Sequence, residues 1–216
     1  MDKKTIIKAL EELKTKAKER KFVQAIDLIV NLKDINLKKP EEQVEFFVTI
    51  PKQIVKENKI CAIVAHDLEE EAKKVCDKVI LQEDLKSFQK DKKSAKKLAE
   101  EFDFFIAQAN IMGQIAGAFG RVWGPRGKMP NPKAGCVIPP KTQLLPIYSR
   151  LQHTVKLSAK KLPIFNVKVG DTDSSAEDVA ENVLFFYNQI IHHLPKEQHN
   201  VKNALLKLTM SEPIKL

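Results

Sequence analysis

Residues 60–65 read ICAIVA, residues 78–82 KVILQ and residues 103–109 DFFIAQA, and these three runs frame the middle of the chain. ICAIVA is apolar at every position, the mark of a strand covered on both faces rather than one. After it, LEEEAKKVC (68–76) has helical spacing, and so does the Lys-rich segment from Lys90 to Glu101. A further helix is expected from about Ile111 to Phe119. Strand and helix alternate three times, which predicts a parallel sheet joined by crossover helices.

On either side the pattern changes. Ile6, Leu10, Leu13 and Ala17 recur at helical spacing near the start. In FVQAIDLIVNLK (22–33), Ile26, Leu28, Val30 and Leu32 share one face while Asp27, Asn31 and Lys33 share the other with Ile29. VEFFVTI (44–50) alternates in the same way and Pro51 closes it, so these two neighbouring strands are expected to pair antiparallel with one side toward solvent. Past Arg150 the alternation returns in PIFNVKV (163–169), with Asn166 and Lys168 on its polar side. TDSSAED (172–178) opens a helix through a capping box of Ser174 and Glu177, and Val179, Val183, Tyr187 and Ile190 give it a buried stripe. NALLKLTM (203–210) ends the alternation, with Ala204, Leu206, Leu208 and Met210 inward and Asn203, Lys207 and Thr209 outward.

Neither terminal segment is long enough to bury a core alone, but together they can form one sheet backed by helices. The fold class expected is therefore α/β in two domains. Residues 1–58 with 153–216 make a discontinuous two-layer domain with a mainly antiparallel sheet, and residues 59–152 an inserted parallel, Rossmann-like domain. The chain would cross between them near Lys56–Lys59 and near Leu151–Thr154.

The chain has 216 residues, 43% hydrophobic and 30% charged, a globular balance. It has no apolar run of the ~18 residues a membrane span needs, and MDKKTIIKALEELKTK lacks an apolar signal core. Cys61, Cys76 and Cys136 are odd in number and far apart, which fits a reducing compartment and no disulfide framework. His192 and His193 are adjacent, without a partner at helical spacing, so no metal site is expected. The net charge is +9, and between Phe104 and Gly170 there is no Asp or Glu at all. That window holds ten cations: Arg121, Arg126, Lys128, Lys133, Lys141, Arg150, Lys156, Lys160, Lys161 and Lys168. All the surplus positive charge thus lies in one segment, which points to a polyanionic partner.

Enzymatic motifs are missing. ICAIVA leads into HDLEEE, where three consecutive carboxylates would repel a phosphate. Gly113, Gly117 and Gly120 are spaced GxxxGxxG inside a helical region, not GxGxxG. GPRGK looks like the end of a phosphate loop, but Val122 stands where the upstream glycine belongs and no Ser or Thr follows Lys128. Glu100 and Glu101 read as a solvated helix face. No enzyme activity and no cofactor are expected.

Residues 120–140, GRVWGPRGKMPNPKAGCVIPP, pack four glycines and five prolines around Arg121, Arg126, Lys128 and Lys133. Such a loop can be ordered without secondary structure and suits phosphate contact. GPRGKMPNPK resembles the signature loop of the L-one family of large-subunit ribosomal proteins, the mobile-stalk protein beside the tRNA exit site. Three more regions match in order: FVQAIDLIVNLKDINLKKPE in its archaeal form, DFFIAQANIMGQIAGAFGRVWGPRGKMPNP, and the closing LKLTMSEPIKL.

The resemblance implies two domains, the first built from both termini and binding a folded region of large-subunit rRNA. It implies exit-site tRNA as a second partner, and the protein's own mRNA as a third, in a repressor role. It further implies a cytoplasmic, ribosome-associated protein, monomeric when free and not membrane-bound. By carry-over Phe22, Gln24 and Asp27 fall in the first rRNA-contact segment, and Thr209 and Met210 in the second. Asn31, Lys33, Lys168, Asn203 and Lys207 are added because they project from the polar strand faces. For Phe22 and Met210 the residues themselves leave packing and RNA contact open. The chain departs from the family pattern at Ala25, where threonine is usual, at Asp27, where Glu is common, and at Ser211-Glu212-Pro213, where Gly-Pro is usual. The expected division of labour is a terminal sheet that selects the rRNA and a basic loop (Arg121, Arg126, Lys128, Lys133) that faces tRNA or a second rRNA segment.

Overall fold

The computed structural model describes residues 2–18, 20–50, 52, 58–140 and 142–216. Pro51, Lys56 and Glu57 at the first expected crossing, and Lys141, lie outside the described residues. The chain runs α1 (Lys3–Lys16), β1 (Ala25–Leu32), β2 (Val44–Thr49), β3 (Ile60–Val64), α2 (Glu69–Val75) and β4 (Lys78–Leu81). It continues α3 (Leu85–Lys90), α4 (Lys92–Glu101), β5 (Phe104–Gln108), α5 (Met112–Trp123), β6 (Val137–Ile138) and α6 (Leu145–Gln152). Last come β7 (Thr154–Ala159), β8 (Ile164–Asp171), α7 (Ala176–His193), β9 (Val201–Leu208) and β10 (Ile214–Lys215). The fold class is α/β, with one antiparallel and one parallel sheet.

Two compact units result, Met1–Lys56 with Val155–Leu216, and Glu57–Thr154. In the first, the sheet order is β10-β9-β1-β8, and β1 pairs antiparallel with both neighbours. Strict alternation along β1 sends Ile26, Leu28, Val30 and Leu32 into a core shared with Leu10 and Leu13 of α1 and Val183 and Phe186 of α7. The helices take one face of this sheet, so the alternate residues of β1, β8 and β9 face outward. β2 does not pair with β1 as expected. It joins β7 in a separate two-stranded sheet, where Phe46 and Val48 still reach the same core. Alternation shows that a strand has one buried face, not which strand lies beside it.

The cap of α7 also moves by one residue. Ser175, not Ser174, accepts from Asp178 N–H (3.1 Å), and its hydroxyl donates to the Asp178 carboxylate (2.7 Å). Ser174 instead accepts from Asp171 N–H in the preceding turn.

The second unit has a parallel sheet, β4-β3-β5-β6. Every residue of β3 is buried: Cys61 and Ile63 pack with Phe105, Phe119 and Trp123, while Ile60, Ala62 and Val64 fill the opposite face. Residues 120–140 are less irregular than expected. They hold the last turn of α5, a turn at 124–127, a short 3-10 turn at Pro132–Ala134 and β6. Gly135 sits there at φ +72°, and a Cβ on it would collide with the Arg150 guanidinium, which bonds Ala134 O and Gly135 O.

Entry and exit of this unit are laced together. Asn58 N–H donates to Gln152 Oε1 (2.8 Å), and the Gln152 amide donates back to Asn58 O (2.8 Å). The Asn58 amide reaches Leu151 O, Gln152 O and Thr154 O.

Candidate nucleic-acid interface

On the open face of the β9-β1-β8 sheet, register sets the side chains in rows. Asp27 lies between Lys207 and Lys168, Ile29 between Leu205 and Asn166, and Asn31 between Asn203 and Ile164. All nine lie at outward-pointing strand positions, and none is fully buried. The Asn31 amide donates to Asn203 Oδ1 (2.6 Å), which fixes both amides and leaves an acceptor on Asn31 and donors on Asn203 for a ligand. Lys33 lies one residue past β1, exposed, its backbone N–H on Asn200 O.

Asp27 is the one carboxylate on these rows, and no hydrogen bond or ion pair engages it among the described residues. Burial holds its carboxyl above the ordinary aspartate range, and the pull of Lys207 and Lys168 does not cancel that. Lys168 pairs instead with Asp171 (2.7 Å). The face therefore offers a desolvated acceptor between two cations, able to receive a 2′-hydroxyl or a base-edge donor.

At the end of β9 the chain leaves the strand at Leu208. Thr209 N–H bonds Ala25 O (3.1 Å), and its hydroxyl accepts from Ala25 N–H (3.1 Å). Gln24, expected as a contact, is buried: its Oε1 accepts from Met210 N–H (3.1 Å), and its backbone exchanges hydrogen bonds with Thr172. It supports the 209–210 turn rather than presenting itself. The inward position expected for Met210 is wrong. The turn ends strand parity, and Met210 is 61% exposed, close in exposure to Phe22 at 53%.

The basic loop is partly self-satisfied. Lys128 turns inward, donating to Phe102 O (2.9 Å) and pairing with Asp103 (3.7 Å). Arg126 reaches Val122 O and lies 3.9 Å from Glu100. Arg121 and Lys133 are exposed and form no ion pair with a described residue. Elsewhere in the acid-free window Lys156 and Lys160 pair with Glu45, which burial pushes up but these two ammonium groups bring below its ordinary range. A stretch free of acid in sequence is not free of acid in space.

At the carboxyl ends of β3 and β5, where doubly wound sheets hold nucleotides, the crevice is filled from within. Gln108 is fully buried there; its Oε1 accepts from Ala65 N–H (2.7 Å) and its amide donates to the Asp67 carboxylate (3.1 and 3.3 Å). Burial pushes the thiols of Cys61 to about 12 and of Cys76 and Cys136 to about 11, far from a nucleophile at neutral pH. Among the described residues no group of three His, Cys, Asp or Glu could hold a metal, and no helix is long and apolar enough to cross a membrane.

The sequence model of the ribosomal protein L1p/L10e family matches residues 13–212. The chain belongs to that family. It is of the archaeal type. Over 216 residues it is 40% identical to the large ribosomal subunit protein uL1 of Methanothermococcus thermolithotrophicus, covering 100% of this chain and 99% of that one. It is 38% identical to the uL1 of Thermococcus kodakarensis, with 100% and 98% covered. To the uL1 of Methanobrevibacter smithii it is 37% identical over 98% of each. The family is one of structural proteins of the ribosome, not of enzymes. For a member of it, the open sheet face with the Thr209–Met210 turn is the candidate RNA surface.

Proposed function

We propose that this protein is a cytoplasmic constituent of the large ribosomal subunit that binds stalk-region rRNA through the open face of its antiparallel sheet. The observation that carries the reading is the ordered set of rows Lys207–Asp27–Lys168, Leu205–Ile29–Asn166 and Asn203–Asn31–Ile164. Amide, carboxylate and ammonium groups on a rigid sheet recognise the shape of an irregular RNA through phosphates, 2′-hydroxyls and a few base edges. Phe22 and Met210 supply exposed apolar surface beside it. The same face would read a similar structure in the protein's own mRNA, so a repressor role needs no second site.

The test is binding to the rRNA stalk fragment, to the mRNA leader and to an unrelated hairpin across a salt series. Preference for the stalk fragment, with a slope set by a few phosphate contacts, is expected; equal affinity for all three overturns specific recognition. Within this reading, T209A is expected to weaken stalk binding by about 1–2 kcal/mol. The loss comes from the hydroxyl that locks Ala25 and orients the turn, so T209S should restore most of it. T209A binding at full strength would remove the turn from the site.

Assistance in releasing deacylated tRNA is assigned to the basic loop. Arg121 and Lys133 carry it, because Arg126 and Lys128 are engaged within the unit. Replacing both by alanine is expected to leave stalk affinity unchanged and to slow tRNA departure from reconstituted ribosomes. Unchanged tRNA release would assign the loop a different role.

A further inference from the structure

Where the end of α1 meets the end of β9, on the helix side of the sheet, lies a cavity of about 290 Å³, lined by Lys14, Ala17, Lys18, Arg20, Phe22, Gln24, Thr172 and Leu208. Among the described residues three of its lining groups are cations and none is acidic, and Lys14, Lys18 and Arg20 form no ion pair with a described residue. The floor is of a different character. Leu208 and Gln24 are buried, and Thr172 is fixed by accepting Gln24 N–H (3.3 Å). Phe22 forms a wall with half its surface free. Gln24, which lines the cavity, also holds Met210 N–H and so ties it to the 209–210 turn.

We propose that this cavity holds a single unpaired nucleotide of the bound RNA, its base against the Phe22 ring and its phosphate among Lys14, Lys18 and Arg20. The assignment rests on the rRNA-binding reading above and extends it to residues outside the sheet. The chemistry is specific to that class of ligand. A lone anion would use the cations but has no need of an aromatic wall, and the Asp and Glu side chains of an acidic peptide bring no flat ring to stack on it. An unstacked base needs both, since sequence-tolerant binding of single-stranded RNA joins aromatic platforms to a cationic track. The volume, at the small end of ligand pockets, suits one nucleotide and excludes a helix.

The test uses the full chain and the stalk fragment with each unpaired nucleotide replaced in turn by an abasic residue. One position is expected to cost roughly tenfold in affinity with the wild-type protein, the scale of one base–aromatic stack. With F22A that position should cost almost nothing more, while the other positions behave as before. Replacing Lys14, Lys18 and Arg20 together by alanine should make the dependence of log affinity on log salt shallower by about 0.7, the loss of one phosphate contact. All four residues are exposed, so an unchanged melting temperature is expected for every variant. No abasic position coupled to Phe22, or an unchanged salt slope, overturns the pocket assignment while K207E still weakens binding. Failure of the wild-type protein to prefer the stalk fragment overturns the underlying reading as well.

Discussion

W123A is expected to remove about 3–5 kcal/mol from the stability of the Glu57–Thr154 unit. Trp123 is fully buried; its ring stacks on Phe119 at 3.9 Å and 8°, and lies 3.9 Å from Phe105 on the central sheet. Its indole N–H donates to Ala95 O (2.8 Å), tying the end of α5 to α4. Alanine leaves a cavity beside the Phe105 and Phe119 rings and forfeits that bond. W123F keeps most of the stacking and should cost clearly less. The chain has one tryptophan, so in the wild-type protein fluorescence follows this unit alone. Calorimetry of W123A should show an early transition for the damaged unit. Stalk-rRNA affinity should persist below that temperature, because the other unit has its own core around Leu28, Phe165 and Phe186. Loss of rRNA binding in step with that transition would show that the two units do not divide the work.

K207E is expected to be the most damaging single change to rRNA binding, on the order of 2–4 kcal/mol. Lys207 faces Asp27 at a paired register position on β1. Reversal sets two carboxylates side by side across the strands, where like charges are unfavourable, and turns both toward phosphates. It also strips Asp27 of one of the two cations that oppose the effect of its burial. K207Q, which only removes the positive charge, should cost about 1 kcal/mol and reduce the salt slope by about 0.7–0.9. Binding of K207E within twofold of wild type would mean that RNA approaches another face.

Much of this was readable from residue order. Each face of β1 follows from parity, and so do the outward positions of Asn31, Lys168, Asn203 and Lys207. ICAIVA declares a doubly covered strand because water-facing residues are absent from it. What failed depended on partners far away in sequence. β2 carries the same alternation whether it lies beside β1 or β7. Met210 continues a parity that the Thr209–Ala25 lock interrupts 184 residues from its other half. Gln24 has the composition of a contact residue but spends its amide oxygen on a turn from the opposite end of the chain. The cations Lys14, Lys18 and Arg20 look like ordinary solvated charges until the fold brings Phe22, Thr172 and Leu208 beside them. A sparse signal was missed too, in the two-residue β6, which holds too few residues for periodicity to register.

The Asn58–Gln152 lacing carries a consequence for how such a chain can be rearranged. With entry and exit hydrogen-bonded to each other, the Glu57–Thr154 unit closes on itself and begins and ends in one place. The insert behaves as a cassette. It can lengthen, shed or exchange its surface loops over evolutionary time without shifting the register of the strands on either side of it. The strands of the antiparallel sheet are thereby insulated from change within the insert.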